Sequence, residues 1–169
     1  MNSQIRGPVR LREATLDDRG FLEDMVVEAV NWDSRRPAIP RDSVLATPAN
    51  ARYAEAWKRP GDIGVIAEVL GTPVGAAWLR LFDAAVPGYG FVDERTPEVS
   101  IAVVADCRGQ GIGSALLDAL VDSARRAGHP ALSLSVGLAN PAVALYERKG
   151  FVHVASSDDA HTMRKDLQR

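Results

Sequence analysis

One stretch decides the fold: it runs from Val99 to Ser114 and reads VSIAVVADCRGQGIGS. Its first six residues are apolar or small, as in a buried β-strand. Glycines then occupy positions 109, 111 and 113, and a sequence typical of a helix begins directly behind them. The first turn of a helix attracts anions through its free N–H groups and its dipole. Glycines let a phosphate approach the backbone, and Arg108 adds a planar cation. The stretch therefore predicts a pyrophosphate-binding turn.

Two other phosphate-binding motifs do not fit this turn. A nucleotide P-loop needs Lys and then Ser or Thr behind its last glycine, whereas Ser114 and Ala115 follow Gly113. The dinucleotide fingerprint, counted from Gly109, needs a glycine where Ser114 stands, and the next strand, 131–136, has no acid for a ribose hydroxyl. A flexible turn between strand and helix is the structural alternative.

A second motif lies downstream, at Asn140 to Phe151, and reads NPAVALYERKGF. It has Asn at a helix start, Tyr within the helix and a closing Gly-Phe. Together with RGQGIG at 108–113, it resembles the GCN5-related N-acetyltransferase (GNAT) family, whose motif is Arg/Gln-x-x-Gly-x-Gly/Ala. The resemblance is dense from about Glu98 to Leu167. It implies an α/β (α+β) fold with a central mixed, mostly antiparallel sheet of six to seven strands. The fourth and fifth strands would be parallel, with about four helices in all.

The resemblance also implies acetyl-CoA as co-substrate, with its pyrophosphate at the glycine turn and its pantetheine arm along the preceding strand. We expect the N–H of Val104 to face the thioester carbonyl. Asn140 is expected at the cofactor too, although a helix cap alone is sufficient to explain it. The implied cofactor-binding residues are Val103, Val104, Ala105, Arg108, Gly109, Gln110, Gly111, Ile112, Gly113, Ser114, Asn140 and Tyr146. No metal is expected, because the three histidines lack the spacing of metal ligands.

Two residues are the candidates for catalysis. Tyr146 is the expected general acid for the departing thiolate, because the pKa of a tyrosine, near ~10, is close to that of a thiol, near ~8.5. Glu98, ten residues before the motif arginine, is the expected general base, acting through water on the amine. The structural alternatives are a packed aromatic side chain for Tyr146 and an exposed strand-end acid for Glu98. A coenzyme A-binding sensor without turnover is the alternative function.

Composition limits the other classes of function. The chain has 169 residues and a net charge of −2, without the basic stripe of a nucleic-acid binder. It has one cysteine and no apolar run near the ~20 residues that a membrane helix needs. We expect a cytoplasmic protein with one domain, residues 9–169, behind a flexible tail, residues 1–8. The acceptor would be a small-molecule or peptide amine, and the family resemblance leaves a homodimer open.

Two irregular segments are the candidates for the acceptor site. Residues 31–50 contain three prolines and three arginines but no sustained period, and a short helix is expected behind them at 51–57. The connection 83–97 combines aromatic residues with acids. If its acids face the site, a cationic amine is favoured; if the arginines do, the acceptor should carry a carboxylate or phosphate. A solvated loop and a rigid surface connection are the alternatives.

Overall fold

The computed structural model describes residues 5–168 and shows one seven-stranded sheet with helices on both faces. The strands are β1 Val9–Glu13, β2 Ile63–Val69, β3 Thr72–Arg80, β4 Glu98–Val103, β5 Ala131–Gly137, β6 Val152–Ser156 and β7 Ala160–Asp166. The α-helices are α1 Arg19–Val30, α2 Arg41–Ala46, α3 Pro48–Ala51, α4 Ile112–Arg126 and α5 Ala142–Arg148.

The strand order is β1-β2-β3-β4-β5-β7-β6, and every neighbouring pair is antiparallel except β4 and β5. That parallel pair confirms the expected mixed sheet. The register joins β4 to β5 only at Glu98 and Ser133. Because Glu98 is the first residue of β4, the two strands separate towards their carboxyl ends. The separation leaves one edge of β4 open inside the sheet.

The alternation of β4 distributes its side chains between two cores. Val99 is buried, and Ile101 and Val103 are partly buried, in the core under α4 and α5. Ala102 is buried in the second core, under α1 and the segment that follows α2. Since every second residue of a strand shares a face, Glu98 lies on the same face as Ala102. Helix α4, which begins behind the glycine turn, and the Glu98 side chain therefore lie on opposite faces of the sheet.

The segment between α1 and β2 differs from the prediction. Residues 31–50 contain α2 and α3, and the helix expected at 51–57 is wrong, because turns follow α3 there. Pro40 precedes α2 and Pro48 is the first residue of α3. A proline at a helix start loses no hydrogen bond, so these prolines stand at helix starts in a segment for which no sustained period was found. The described residues thus have five α-helices instead of about four.

A buried ion pair fixes the turns behind α3 above the sheet. The Arg80 guanidinium binds both oxygens of Asp62, at 3.0 and 2.6 Å, and donates to the carbonyls of Arg52 and Glu55. The Trp78 indole N–H donates to the Tyr53 carbonyl at 2.9 Å. These bonds satisfy charges that would otherwise be costly to bury. They also bring the Tyr53 side chain to the head of β4.

Two expectations concern the N-terminal tail and membrane-spanning helices. Residues 1–4 of the expected tail lie outside the described residues, while Ile5 packs against the core of the sheet. Among the helices between residues 5 and 168, none has both the length and the apolar character required to cross a membrane.

Candidate active site

Glu98 is the centre of the site on the face of α1. Its residue surface is 3% exposed. The Tyr53 hydroxyl donates to Glu98 Oε1 at 2.6 Å, and the Gly90 N–H donates to the same oxygen at 2.9 Å. The other oxygen, Oε2, is buried and has no hydrogen-bond partner among the described residues. The structural alternative of an exposed strand-end acid is therefore wrong, since the carboxylate is enclosed.

The enclosure changes the acidity of Glu98. Burial raises the pKa of Glu98 from 4.5 to about 7, because desolvation disfavours the ionised carboxylate. The hydrogen bonds from Tyr53 and Gly90 and the charge of Arg52 oppose this rise without cancelling it. Burial also raises the pKa of Tyr53, so the tyrosine stays a neutral donor. A general base is most effective with a pKa near the operating pH, and Glu98 meets that condition near neutrality.

The loop 83–97 forms the roof over this carboxylate. A Cβ added to Gly88 would lie 2.0 Å from Glu98 Oε2, and one added to Gly90 would lie 2.5 Å from the carbonyl carbon of Leu134 on β5. Only residues without a side chain permit so close an approach. The Tyr89 ring stacks on the Tyr53 ring, with centroids 6.1 Å apart. The backbone N–H of Tyr89 donates to the Tyr53 hydroxyl at 2.6 Å.

The loop is also tied to the segment that precedes the turns. The Tyr89 hydroxyl donates to Asn50 Oδ1 at 3.0 Å, and the Arg52 guanidinium donates to the Pro87 carbonyl. The two irregular segments predicted to wall the acceptor site are thus in contact with each other. That they bind the acceptor stays a prediction.

The glycine turn lies on the opposite face, at the start of α4. Gly109 and Gly111 have φ values of +75° and +82°, which side chains rarely adopt, and a Cβ at either would meet nothing within 4 Å. No N–H between residues 109 and 114 donates to an acceptor within residues 5–168. The turn therefore offers a row of free donors, open space and the positive end of a 15-residue helix. A pyrophosphate fits these groups.

Arg108 has a structural role that the sequence does not reveal. Its Nε donates to the Val103 carbonyl at 3.0 Å, and its Nη2 forms an ion pair with Glu28 of α1 at 2.8 Å. The guanidinium therefore links the turn to β4 and to α1. A contact between Arg108 and the cofactor phosphates stays a prediction, and the backbone donors are the stronger argument for that site.

The hydrogen bonds of β4 show that the expectation for the Val104 N–H is wrong. The Val104 N–H donates to the Val74 carbonyl of β3 at 2.8 Å, so it does not face a thioester carbonyl as predicted. Antiparallel pairing directs the N–H groups of alternate residues to the same side. The N–H groups of Ile101 and Val103 consequently face the gap towards β5. Ala105 N–H has no acceptor among the described residues, so Val103 and Ala105 are the remaining donors for the pantetheine arm.

Tyr146 lies within α5 and Asn140 lies just before it, as expected. Tyr146 is 7% exposed, and its ring packs edge-on against Phe151 with centroids 6.0 Å apart. Its hydroxyl forms no hydrogen bond with a described residue, and burial raises the pKa of Tyr146. Asn140 Oδ1 accepts from the Ala142 N–H at 2.9 Å, which confirms the helix cap. The cap uses only the amide oxygen of Asn140.

Several charged residues of the two segments predicted to wall the acceptor site are engaged within their own segments. Arg35 and Arg36 both contact Asp33, at 2.8 and 3.6 Å, and their side chains are 77% and 80% exposed. In the roof loop, Asp93 accepts from the Arg95 N–H at 2.9 Å, and Glu94 accepts from the Ala84 N–H at 3.2 Å. These groups hold their own loops, which leaves Glu98 as the enclosed carboxylate at the separation of β4 and β5.

Arg41, the third arginine of the first segment, is bound to α1, with contacts to Asp24 at 2.8 Å and Glu23 at 3.1 Å. The Trp32 side chain instead packs against the carboxyl end of β5. A Cβ added to Gly137, the last residue of β5, would lie 3.0 Å from the Trp32 indole. The same face of β5 is thus approached by Trp32 at its carboxyl end and by Gly90 near its middle.

Sequence reasoning missed three features of the site: the bond from Tyr53, the glycine roof and Ser133. The Gly-Tyr-Gly run at 88–90 was a usable signal, because alternate glycines indicate close backbone approach. Ser133 gave no signal, since it alternates with leucines as any surface residue of a strand does. Between residues 5 and 168, no group of three or more His, Cys, Asp or Glu side chains is arranged to hold a metal ion.

Known proteins are similar to this chain in sequence and in fold. Residues 18–151 match the model of the Acetyltransferase (GNAT) family. A curated relative, the mycothiol acetyltransferase of Propionibacterium freudenreichii subsp. shermanii, is 32% identical over 127 residues, which are 73% of this chain and 38% of that protein. The chain therefore spans well under half the length of that relative.

Solved structures agree in fold. A Salmonella typhimurium protein solved with its cofactor acetyl-CoA superposes with a TM-score of 0.69 at 24% identity, over 95% of this chain and 94% of that chain. The ribosomal-protein-alanine N-acetyltransferase of Brucella melitensis gives a TM-score of 0.67 at 25% identity, over 93% and 99%. Because the family model covers most of the residues and the parallel β4–β5 pair and the glycine turn agree with it, this chain belongs to the acetyltransferase (GNAT) family.

Proposed function

We propose that this chain transfers an acetyl group from acetyl-CoA to a primary amine by direct attack. Glu98 acts as general base through a water molecule, and Tyr146 acts as general acid. The single observation that supports this most strongly is the enclosed Glu98, with its pKa raised to about 7, at the point where β4 and β5 separate. A protein that only senses coenzyme A has no need of such a base.

Acetyl-CoA, when bound, supplies the acetyl group as a thioester. The free N–H groups of residues 109–114 and the α4 dipole hold its negative charge. The N–H groups of Val103 and Ala105 are the donors at the open edge of β4. A preorganised donor there stabilises the oxyanion that forms when an amine attacks a carbonyl. The residues present therefore fit this co-substrate.

Two proton transfers complete the reaction. An amine with a pKa near ~10 is mostly protonated at neutral pH and must lose a proton before it attacks. Glu98 is ionised in about half of the molecules near pH 7 and accepts that proton. Tyr146 donates its proton to the thiolate that leaves; its raised pKa keeps the hydroxyl protonated at alkaline pH.

The acceptor is proposed to be an amine with an apolar body. Arg35 and Arg36 contact Asp33, while Asp93 and Glu94 accept hydrogen bonds from backbone N–H groups of their own loop. These charged side chains are therefore engaged within their own segments. The aromatic residues Trp32, Tyr89 and Phe91 lie in those same segments. Apolar and aromatic surfaces bind an apolar substrate body through its burial.

An amine panel tests the function by following the release of free thiol from acetyl-CoA. The panel includes small apolar amines, peptide N-termini, polyamines and the acceptors of the mycothiol acetyltransferases. We expect turnover with at least one apolar amine, its loss in Glu98→Gln, and its retention in the control Glu55→Gln, an exposed acid on the same side of the sheet. Tight acetyl-CoA binding without turnover on any amine would favour the sensor instead.

A further inference from the structure

Two buried oxygens without partners belong to register neighbours on β4 and β5. Among the described residues, Glu98 Oε2 and Ser133 Oγ are the buried side-chain polar atoms that have no hydrogen-bond partner. Glu98 and Ser133 are also the one pair that joins β4 to β5. Partners in a parallel pair direct their side chains to the same face, so both oxygens lie on the face of α1. Ser133 is fully buried and Glu98 is 3% exposed.

Neither protonation state of Glu98 satisfies Oε2 by itself. Oε1 already accepts two hydrogen bonds, from Tyr53 and Gly90, so a proton on the acid would reside on Oε2. That O–H would then need an acceptor, and ionised Oε2 would need a donor. Ser133 Oγ can serve as either, but no hydrogen bond joins the two oxygens. Such a gap between buried polar atoms is typically bridged by water.

The roof closes the site to larger groups. Gly88 lies directly over Oε2, and Gly90 binds Glu98 Oε1 while it approaches the backbone of Leu134 and Ser135 on β5. An acceptor amine therefore cannot contact Oε2 without displacing this loop. A proton that leaves the amine needs a carrier small enough to reach the carboxylate beneath it.

We propose that Glu98 Oε2 and Ser133 Oγ together hold one water molecule, which relays the amine proton to Glu98, with Ser133 as the positioning residue. This proposal rests on the proposed function for its direction of proton flow. One N–H bond of the amine breaks, one O–H bond forms on Glu98, and the water ends with the two protons it began with. Ser133 lends a hydrogen bond and keeps its own proton.

The other ionisable groups around Glu98 are engaged elsewhere or act independently of Ser133. Tyr53 and Arg52 approach from the turns behind α3, and Arg80, the β3 partner of Glu98, is bound to Asp62. From β7, Arg164 is the register partner of Ser133 and is paired with Asp166. A change in Glu98 acidity on removal of the Ser133 hydroxyl is therefore attributable to the water.

The first test is a readout that needs no turnover. The ¹³C resonance of the Glu98 carboxyl is titrated in the wild type, in Ser133→Ala and in the control Thr162→Val, which removes a hydroxyl from the same face of β7. Loss of a water-mediated donor disfavours the carboxylate, so Ser133→Ala should raise the pKa of Glu98 by about half to one unit. Ser133→Thr, which keeps the hydroxyl, should restore it. An unchanged titration in Ser133→Ala would overturn the proposal.

The second test is kinetic and uses the same variants with the best amine of the panel. Ser133→Ala should lower kcat at least tenfold, leave the KM for acetyl-CoA unchanged, and move the acidic limb of the kcat/KM profile to higher pH. An equal loss of kcat in Thr162→Val, or an unmoved limb, would overturn the relay. If the carboxyl titration shifts as expected but the wild type acetylates no amine, the proposed function fails while the water site stands.

Discussion

Replacing Glu98 by Gln should change the stability of the protein in a pH-dependent way. The pKa of Glu98 is raised from 4.5 to about 7 in the folded protein, a difference of about 2.5. Each unit of pKa corresponds to about 1.4 kcal/mol, so ionised Glu98 lowers the free energy of unfolding by about 3 kcal/mol, an order-of-magnitude value. The glutamine cannot ionise and escapes this cost.

The sign follows from proton counting. Below pH 4.5 the carboxyl is protonated in both states, and its full contribution to stability is present. Between pH 4.5 and about 7 the unfolded chain has released the proton and the folded protein still holds it, so stability falls as pH rises. Above about pH 7 both states are ionised and the loss is complete. The stability of Glu98→Gln should therefore increase relative to that of the wild type between pH 4.5 and about 7.

Urea unfolding from about pH 4 to about pH 9 measures the effect. The difference in free energy of unfolding between Glu98→Gln and the wild type should increase by about 3 kcal/mol from the acidic to the alkaline end. The control Glu55→Gln alters an exposed acid and should give a constant difference. A constant difference for Glu98→Gln as well would show that the enclosed carboxylate ionises at its ordinary pKa, and the reasoning on its role as a neutral-pH base would fail with it.

Three further variants test the remaining assignments. Ser114→Asp adds an anion at the α4 N-terminus, where the helix dipole favours it, so the free protein should be as stable as the wild type or more stable. The rise in Tm caused by acetyl-CoA should disappear in Ser114→Asp and persist in the control Ser114→Asn. If the rise also persists in Ser114→Asp, the phosphate site is not at this turn. Tyr146→Phe should bind acetyl-CoA with unchanged Kd, as followed by calorimetry, and lower kcat at least tenfold, since general acids contribute ~10²–10⁴-fold; normal turnover would leave Tyr146 as a packing residue. Tyr53→Phe removes a donor to Glu98, so the acidic limb of kcat/KM should move to higher pH, and an unmoved limb would separate Tyr53 from the base.

Local sequence was sufficient for the elements with strong, short-range signals. The run from Val99 to Ser114 predicted a strand, a phosphate turn and a helix, because period and glycine spacing act within a few residues. The family, and the mixed sheet with parallel fourth and fifth strands that the family resemblance implied, were confirmed. The same reasoning failed at 31–57, where no sustained period was found in 31–50 and a helix was expected at 51–57, although Pro40 and Pro48 stand at the starts of α2 and α3.

The site itself was decided by tertiary structure. Sequence placed Glu98 at the head of a strand, but its raised pKa comes from burial under Gly88 and Gly90, ten and eight residues upstream, and its bond to Tyr53 spans 45 positions. Ser133 became a partner only through the parallel register. Desolvation and unpaired oxygens depend on what packs around a group in space, and no local pattern records that. The sequence alone therefore determined which residues are present at this site, and the fold determined their acidity and their neighbours.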